Sequence, residues 1–315
     1  LSVTGAGSGW AAQCAVPELE MYKSLIRPLD AGARAARTHV GDHPMAPPAD
    51  PNVGDSWLWY VWHLNGPPWA EQKMCTVRGE GEHVYVVVED SQWGTRVNQE
   101  DIDAIIEAWD NSSVGPWPDK GIYELNTENF GPVPDELDND PKVYVLYYDF
   151  DVSSDGFFWY FDQYPDGTQP YESNECEVLY MNCSDRDPGG EYLISVQAHE
   201  FHHLIHWLAD DNEVTWLNEG LAEMAMWLYG HPDPVVSFPS QPDINLTTWQ
   251  NGFADYVKVY LFSLYLYEHF GGQEMMLNLT AQQLNSTASV QQALTDLGYP
   301  TTFAELLRDW VTANY

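Results

Sequence analysis

The five residues His199-Glu200-Phe201-His202-His203 constrain this chain more than any other stretch. In an α-helix successive residues turn by about 100°, so His199 and His203 lie about 40° apart and one turn along. Both imidazoles can then reach one ion, while Glu200, about 100° away, stands beside it. A carboxylate in that position suits a base that takes a proton from metal-activated water. The flanks are apolar: Leu193, Ile194, Val196, Phe201, Leu204, Ile205, Trp207 and Leu208 make 193–208 a helix bound for the interior. Such a helix accommodates histidines and a carboxylate only when they have partners. The stretch therefore predicts a metal site rather than incidental histidines on a surface helix.

Catalytic zinc takes three protein ligands and leaves a fourth position to water. The candidates for the third ligand are His202, His206, Asp210, Asp211, Glu219 and Glu223. His202 falls off the ligand face. His206 follows His203 on that face. Three ligands in a row on a straight helix rising about 1.5 Å per residue do not converge on one ion with bonds of about 2 Å. Glu219 lies in the apolar stretch Trp216-Leu217-Asn218-Glu219-Gly220-Leu221, where a carboxylate needs a partner. It is the expected third ligand. Glu223, one turn later on the same face, is the expected acceptor for the free N–H of a ligand histidine.

Charge narrows the partners. The chain has 12 Lys and Arg against 48 Asp and Glu, a net charge of −36. Nucleic acid is disfavoured, because phosphate contacts need Lys and Arg, and anionic membrane surfaces are disfavoured for the same reason. No segment is long and apolar enough to span a membrane. The acidic surface suits a protein outside the cell or at high salt. Four cysteines, Cys14, Cys75, Cys176 and Cys183, form no CxxC pair. Their even number suggests two disulfides, Cys176–Cys183 closing a short loop and Cys14–Cys75 tying down the N-terminal arm. This points to a secreted or extracellular mature form lacking its signal peptide. Sequons at Asn111, Asn182, Asn245, Asn278 and Asn285 permit glycosylation.

Along the chain, residues 1–50 are rich in Gly, Ala and Pro and read as an arm or linker, or the remainder of a propeptide, with one short helix around 17–27. His39 and His43 there read as solvated loop residues. Residues 54–64, 72–90, 142–150 and 176–183 read as strands, and 99–110 as an amphipathic helix with Ile102, Ile105, Ile106 and Trp109 on one face. Residues 111–141 read as loop. DFDVSSDG at 149–156 places Asp149, Asp151, Ser153 and Asp155 at alternate positions, as half a calcium loop does. Gly156 is misplaced for an EF-hand and Tyr160 stands where its Glu belongs, so a solvated turn is preferred, with Ca2+ the alternative. Helices are expected at 217–229, 254–270, 273–279, 288–297 and 302–314. The pattern is α+β: an arm over 1–50, a strand-rich lobe over 51–208 that ends with the metal helix, and a helical lobe over 209–315 that completes the site.

HExxH followed by a Glu-bearing helix resembles the gluzincin peptidases, and WLNEG is similar to the form in zinc aminopeptidases. The closer resemblance is to hyicolysin-type bacterial neutral metallopeptidases. It runs through GEHVYVVVED, DNDPKVYVL, SNECEVLYMN, HEFHH, TWLNEGLAEMA and YLFSLYLYEHFGG, about residues 53–315. It implies a zincin-like fold, a zinc ion on His199, His203 and Glu219, and Glu200 as general base and acid on protein or peptide substrates. It also implies an oxyanion donor. Tyr256 is the candidate because ADYVKVYLF looks like the Tyr-x-Lys segment of the aminopeptidases, with Tyr260 in reserve and core packing the alternative role for either. The aminopeptidase G-x-M-E-N motif is absent, which favours an endopeptidase over an exopeptidase. A non-catalytic binding or surface protein on the same scaffold is the reading from another class. The strand at 177–182, just before the metal helix, is the candidate for pairing with substrate backbone.

Overall fold

The computed structural model describes residues 14–28, 46–48, 50–135, 137–138, 140–241 and 243–314. His39 and His43 lie outside them. The N-terminal half forms a six-stranded sheet in the order β1-β2-β3-β4-β6-β5. Its strands are β1 (Ser56–His63), β2 (Trp69–Glu80), β3 (Val84–Glu89), β4 (Val143–Tyr148), β5 (Gly156–Phe158) and β6 (Val178–Asn182). β1, β2 and β3 form an antiparallel meander, β3, β4 and β6 run parallel, and β5 returns antiparallel as the edge strand. β3, β4 and β6 are buried at every residue, which is what near-continuous apolar runs such as VYVVV require.

The helices follow the apolar periodicity closely. A short α1 (Val16–Leu19) continues as a 3-10 turn to Leu25. α2 (Gln99–Asp110) starts at a capping box: the Asn98 side chain accepts from the Glu100 N–H, and Asp101 accepts from the Asn98 N–H. Ile102, Ile105 and Trp109 are buried on one face, with Ile106 partly so. After α3 (Ile122–Phe130) come α4 (Glu191–Ala209), α5 (Thr215–Tyr229), α6 (Phe253–His269), α7 (Gln273–Ala281), α8 (Thr287–Asp296) and α9 (Phe303–Ala313). The chain is thus α+β, a strand-rich N-terminal part and a helical C-terminal part.

α4 is the hub. Every residue from Leu193 to His206 is buried. The helix packs against β5 and β6 on the sheet and against α3, α5 and α7. Its polar side chains make the attachments. Gln197 accepts from Trp109 Nε1 and donates to the Tyr147 hydroxyl, both at 2.7 Å. The Tyr147 hydroxyl donates in turn to the Pro188 carbonyl at 3.2 Å. Asn126 of α3 donates to the Ala198 carbonyl at 2.8 Å. α5 crosses α6 at Gly220, where an added Cβ would lie 2.7 Å from Ser263 Oγ and 3.2 Å from the Val259 carbonyl.

Four expectations change. Residues 111–141 hold a helix, α3, whose apolar periodicity is broken by the buried Asn126 and Asn129. β6 is interior, between β4 and β5, so the free edge beside α4 belongs to β5. Neither disulfide forms: none of the four cysteines is bonded to another, and all are buried. Cys176 and Cys183 flank the extended β6, which separates them by roughly 20 Å at about 3.3 Å per residue, against the roughly 6 Å of a disulfide. Cys14 pairs with Gly156 at the β5 edge, whereas Cys75 sits in β2, four strands away. The cysteine argument for an oxidising, extracellular compartment falls with them. The Asn182 sequon is buried, its side chain donating to the Ser154 carbonyl and accepting from the Ser184 N–H, which closes it to glycan addition.

Gln197→Ala leaves the Trp109 N–H unpaired in the interior and opens a void. It should cost about 2–4 kcal/mol, read as a lower denaturant midpoint at unchanged slope. An unchanged midpoint would mean that Gln197 does not anchor α4.

Candidate metal centre

His199 and His203, one turn apart on α4, aim their Nε2 atoms at a common point, 3.2 Å from one another. α5 brings Glu219 to the same point. Its two oxygens lie 3.3 Å from His199 Nε2 and 3.4 Å from His203 Nε2. A tetrahedral ion with bonds of about 2.0–2.1 Å separates its ligand atoms by about 3.3–3.4 Å. The spacing matches that geometry. The side chains of His199 and Glu219 are 0% exposed, as is Glu223 beneath them.

The electrostatics ask for a cation. Glu200, Glu219 and Glu223 are three buried carboxylates around one point, and both oxygens of Glu219 and Glu223 and Oε1 of Glu200 lack hydrogen-bond donors. Unpaired buried charge is costly, and a divalent ion bound by His199, His203 and Glu219 removes that cost. Burial alone would depress His199, yet Glu219, Glu223 and Glu200 raise its proton affinity well above that of an ordinary imidazole. Burial, opposed by His199, pushes Glu200 up to about 7. The donor set therefore fits a metal ion.

Further polar side chains stand behind the two imidazoles. His199 Nδ1 faces Glu223 Oε1 at 3.2 Å, near but off the line of a good hydrogen bond. Asn218 Oδ1 lies 3.1 Å from His203 Nδ1 and 2.9 Å from His206 Nδ1. As an acceptor it holds the His203 proton on Nδ1 and leaves Nε2 free to bind. His206 is a neighbour, not part of the converging set, and burial drives its pKa down to about 4. His202 packs edge-on against Phe130 with both ring nitrogens unpartnered, and burial holds it well below the usual range. The remaining acids stand elsewhere. Asp151 accepts from the Leu64 N–H, Asp155 from Arg186 and the Tyr192 hydroxyl, and Asp149 faces Arg96. Each of these three carboxylates engages a different partner.

One member of the cluster is absent from the HExxH reading. Cys14 Sγ lies 3.7 Å from His203 Nε2 and 3.4 Å from Glu200 Oε2. Ligand atoms of Cys14, His199, His203 and Glu219 all lie within 4.8 Å of one another, and all four residues are buried. Cys14 is 185 residues from His199 in a stretch with no metal-ligand spacing, so no local pattern marks it. Asn218 was in view as part of WLNEG but reads as a helix-start residue until its partners are known.

Tyr256 of α6 stands at the edge of the cluster. Its hydroxyl donates to the Cys14 carbonyl at 3.3 Å, and its ring packs edge-on against Trp249. Tyr260, one turn on, is buried. Lys258 turns away and pairs with Asp255 at 2.5 Å inside the start of α6. Gly156 of β5 lies directly over Glu200: a Cβ there would sit 3.2 Å from Glu200 Cγ.

Compared with models of known families, the chain matches none, and no curated protein matches it either.

Glu219→Ala should abolish stoichiometric metal binding, and Asn218→Ala should weaken it about 10–100-fold, measured by competition with a chelator. His206→Ala should leave affinity nearly unchanged. Loss of metal in His206→Ala with retention in Glu219→Ala would assign the third ligand to His206.

Proposed function

We propose that the chain is a zinc-dependent endopeptidase of the zincin type, similar to the hyicolysin-like enzymes, with His199, His203 and Glu219 as ligands. The observation that carries this reading is the position of Glu200. Its carboxylate lies beside the cluster, 3.4 Å from the sulfur of Cys14, the fourth member of the converging group. A water in place of that sulfur lies within reach of a buried base.

When bound, zinc supplies Lewis acidity to a water and to a peptide carbonyl. Glu200 takes the proton from the attacking water and returns it to the leaving amine. Burial, which raises its proton affinity to about 7, suits both halves of that exchange. Tyr256 donates to the carbonyl oxygen as negative charge develops there. Its hydroxyl already donates to a main-chain carbonyl, that of Cys14. Asn218 holds the His203 imidazole in orientation, and the Glu223 carboxylate stands 3.2 Å from His199 Nδ1.

Peptide recognition falls to β5. The Gly156 carbonyl accepts from the Ala15 N–H at 3.1 Å, so this edge can bind extended backbone. The absence of a G-x-M-E-N motif, which reads a free amino end in the aminopeptidases, favours cleavage within chains over trimming of ends.

Glu200→Gln should retain zinc and lose peptidase activity by about 10³-fold or more, followed with a quenched internal peptide. Tyr256→Phe should lower kcat about 10–100-fold at similar KM. Unchanged turnover in Glu200→Gln would remove the proposed base. Cleavage only of peptides with a free amino end would replace the endopeptidase reading by an exopeptidase one.

A further inference from the structure

We propose that the segment around Cys14 is an inhibitory strap that closes the metal site with its thiolate and occupies the substrate cleft; this rests on the peptidase reading above.

Three independent contacts place the strap where substrate belongs. The Cys14 sulfur lies 3.7 Å from His203 Nε2, 3.4 Å from Glu200 Oε2 and within 4.8 Å of the ligand atoms of His199 and Glu219. Tetrahedral ligation with a metal–sulfur bond of about 2.3 Å and a metal–nitrogen bond of about 2.0–2.1 Å would separate S from N by about 3.6 Å, which the His203 distance approaches. The backbone pairs with the free edge of the sheet: Cys14 bridges Gly156, and the Ala15 N–H donates to the Gly156 carbonyl. The Cys14 carbonyl accepts from Tyr256, the hydroxyl assigned above to the reacting carbonyl. Sulfur, amide and carbonyl of two adjacent residues thus engage the base, the edge strand and the oxyanion donor at once.

The segment is held on its C-terminal side as well. Cys14, Ala15, Val16 and Leu19 are buried. The Tyr160 hydroxyl donates to the Leu19 carbonyl at 2.8 Å, and Lys23 lies over the Trp207 ring. Arg27 exchanges backbone bonds with the Gln169 side chain. The segment turns into the short α1 and its 3-10 continuation directly after Ala15, and no disulfide ties it to the rest of the protein. Beside Cys14 a cleft of about 420 Å³ opens, lined by Asn65, Val152, Ser154, Asn251 and Tyr256. It is the approach through which a peptide would enter once the strap has left.

The arrangement explains why the strap survives its own active site. Peptide hydrolysis needs a water where the sulfur stands, so no attack on the Cys14 carbonyl can begin. Release is a ligand exchange without redox change: the thiolate departs, takes a proton from solvent, and water fills the position. A closed set of four protein ligands is otherwise the mark of a structural metal site. The two roles differ in what happens when the sulfur is removed.

The test uses the full chain loaded with Co2+, and with Zn2+ for activity. Wild type should show a thiolate-to-cobalt charge-transfer band and a Cys14 thiol protected from an alkylating reagent. Cys14→Ala should lose the band, keep one metal ion per chain, and gain peptidase activity at least tenfold over wild type. Absence of the band, or Cys14 alkylated as fast in the native protein as in the unfolded one, overturns the strap. So does a Cys14→Ala variant that loses its metal or gains no activity over an active wild type, which would make Cys14 a structural ligand. If the band behaves as expected but neither protein hydrolyses any peptide, the peptidase reading fails and the inhibitory role fails with it. The sulfur ligand then stands alone.

Discussion

Three carboxylates and two imidazoles buried around one point are the constraint on which the centre of this molecule depends. Glu200, Glu219 and Glu223 have no Lys or Arg within ion-pair distance among the described residues. Their partners are His199, His203 and the Cys14 thiol. Burial pushes Cys14 well above the ordinary thiol range, and Glu200 and Glu219 push it further. Without a cation the cluster is a concentration of unpaired charge in a water-poor interior. With one, the charge of the cluster is balanced, and the proposed roles of ligand and base become available to these groups.

The fold supplies rigidity where that cluster needs it. α4 is fixed to the sheet through Gln197 and Tyr147, to α2 through Trp109, and to α3 through Asn126. α5 is pressed between α4 and α6 closely enough that Gly220 leaves no room for a side chain. Ligands on packed helices stay within the small tolerances that metal binding imposes. The strap, in contrast, sits on the edge of a three-residue strand and is held by a few hydrogen bonds and by the burial of Cys14, Ala15, Val16 and Leu19.

Much of this was legible in the sequence for a local reason. His199, Glu200 and His203 are related by one helical turn, and Glu219 and Glu223 by another, so periodicity alone aligns each set. The strands, α2, α4 and the C-terminal helices follow apolar runs or periodic faces. The misses share a different cause. Asn126 and Gln197 are polar residues at core positions, and their value lies in partners far along the chain. β5 has three residues, too short for alternation to reveal that it, and not β6, holds the free edge. The cysteine pairing failed because an even count carries no information about distance. Cys14 meets residues about 190 positions away, and nothing near it in sequence says so.

X-ray absorption at the zinc edge of the purified full-length chain addresses the central claim directly. One zinc per chain with a single sulfur at about 2.3 Å and nitrogen or oxygen neighbours at about 2.0–2.1 Å is the predicted shell. A zinc shell of nitrogen and oxygen alone would contradict the assignment of Cys14. A protein that takes up no zinc would contradict the metal centre itself.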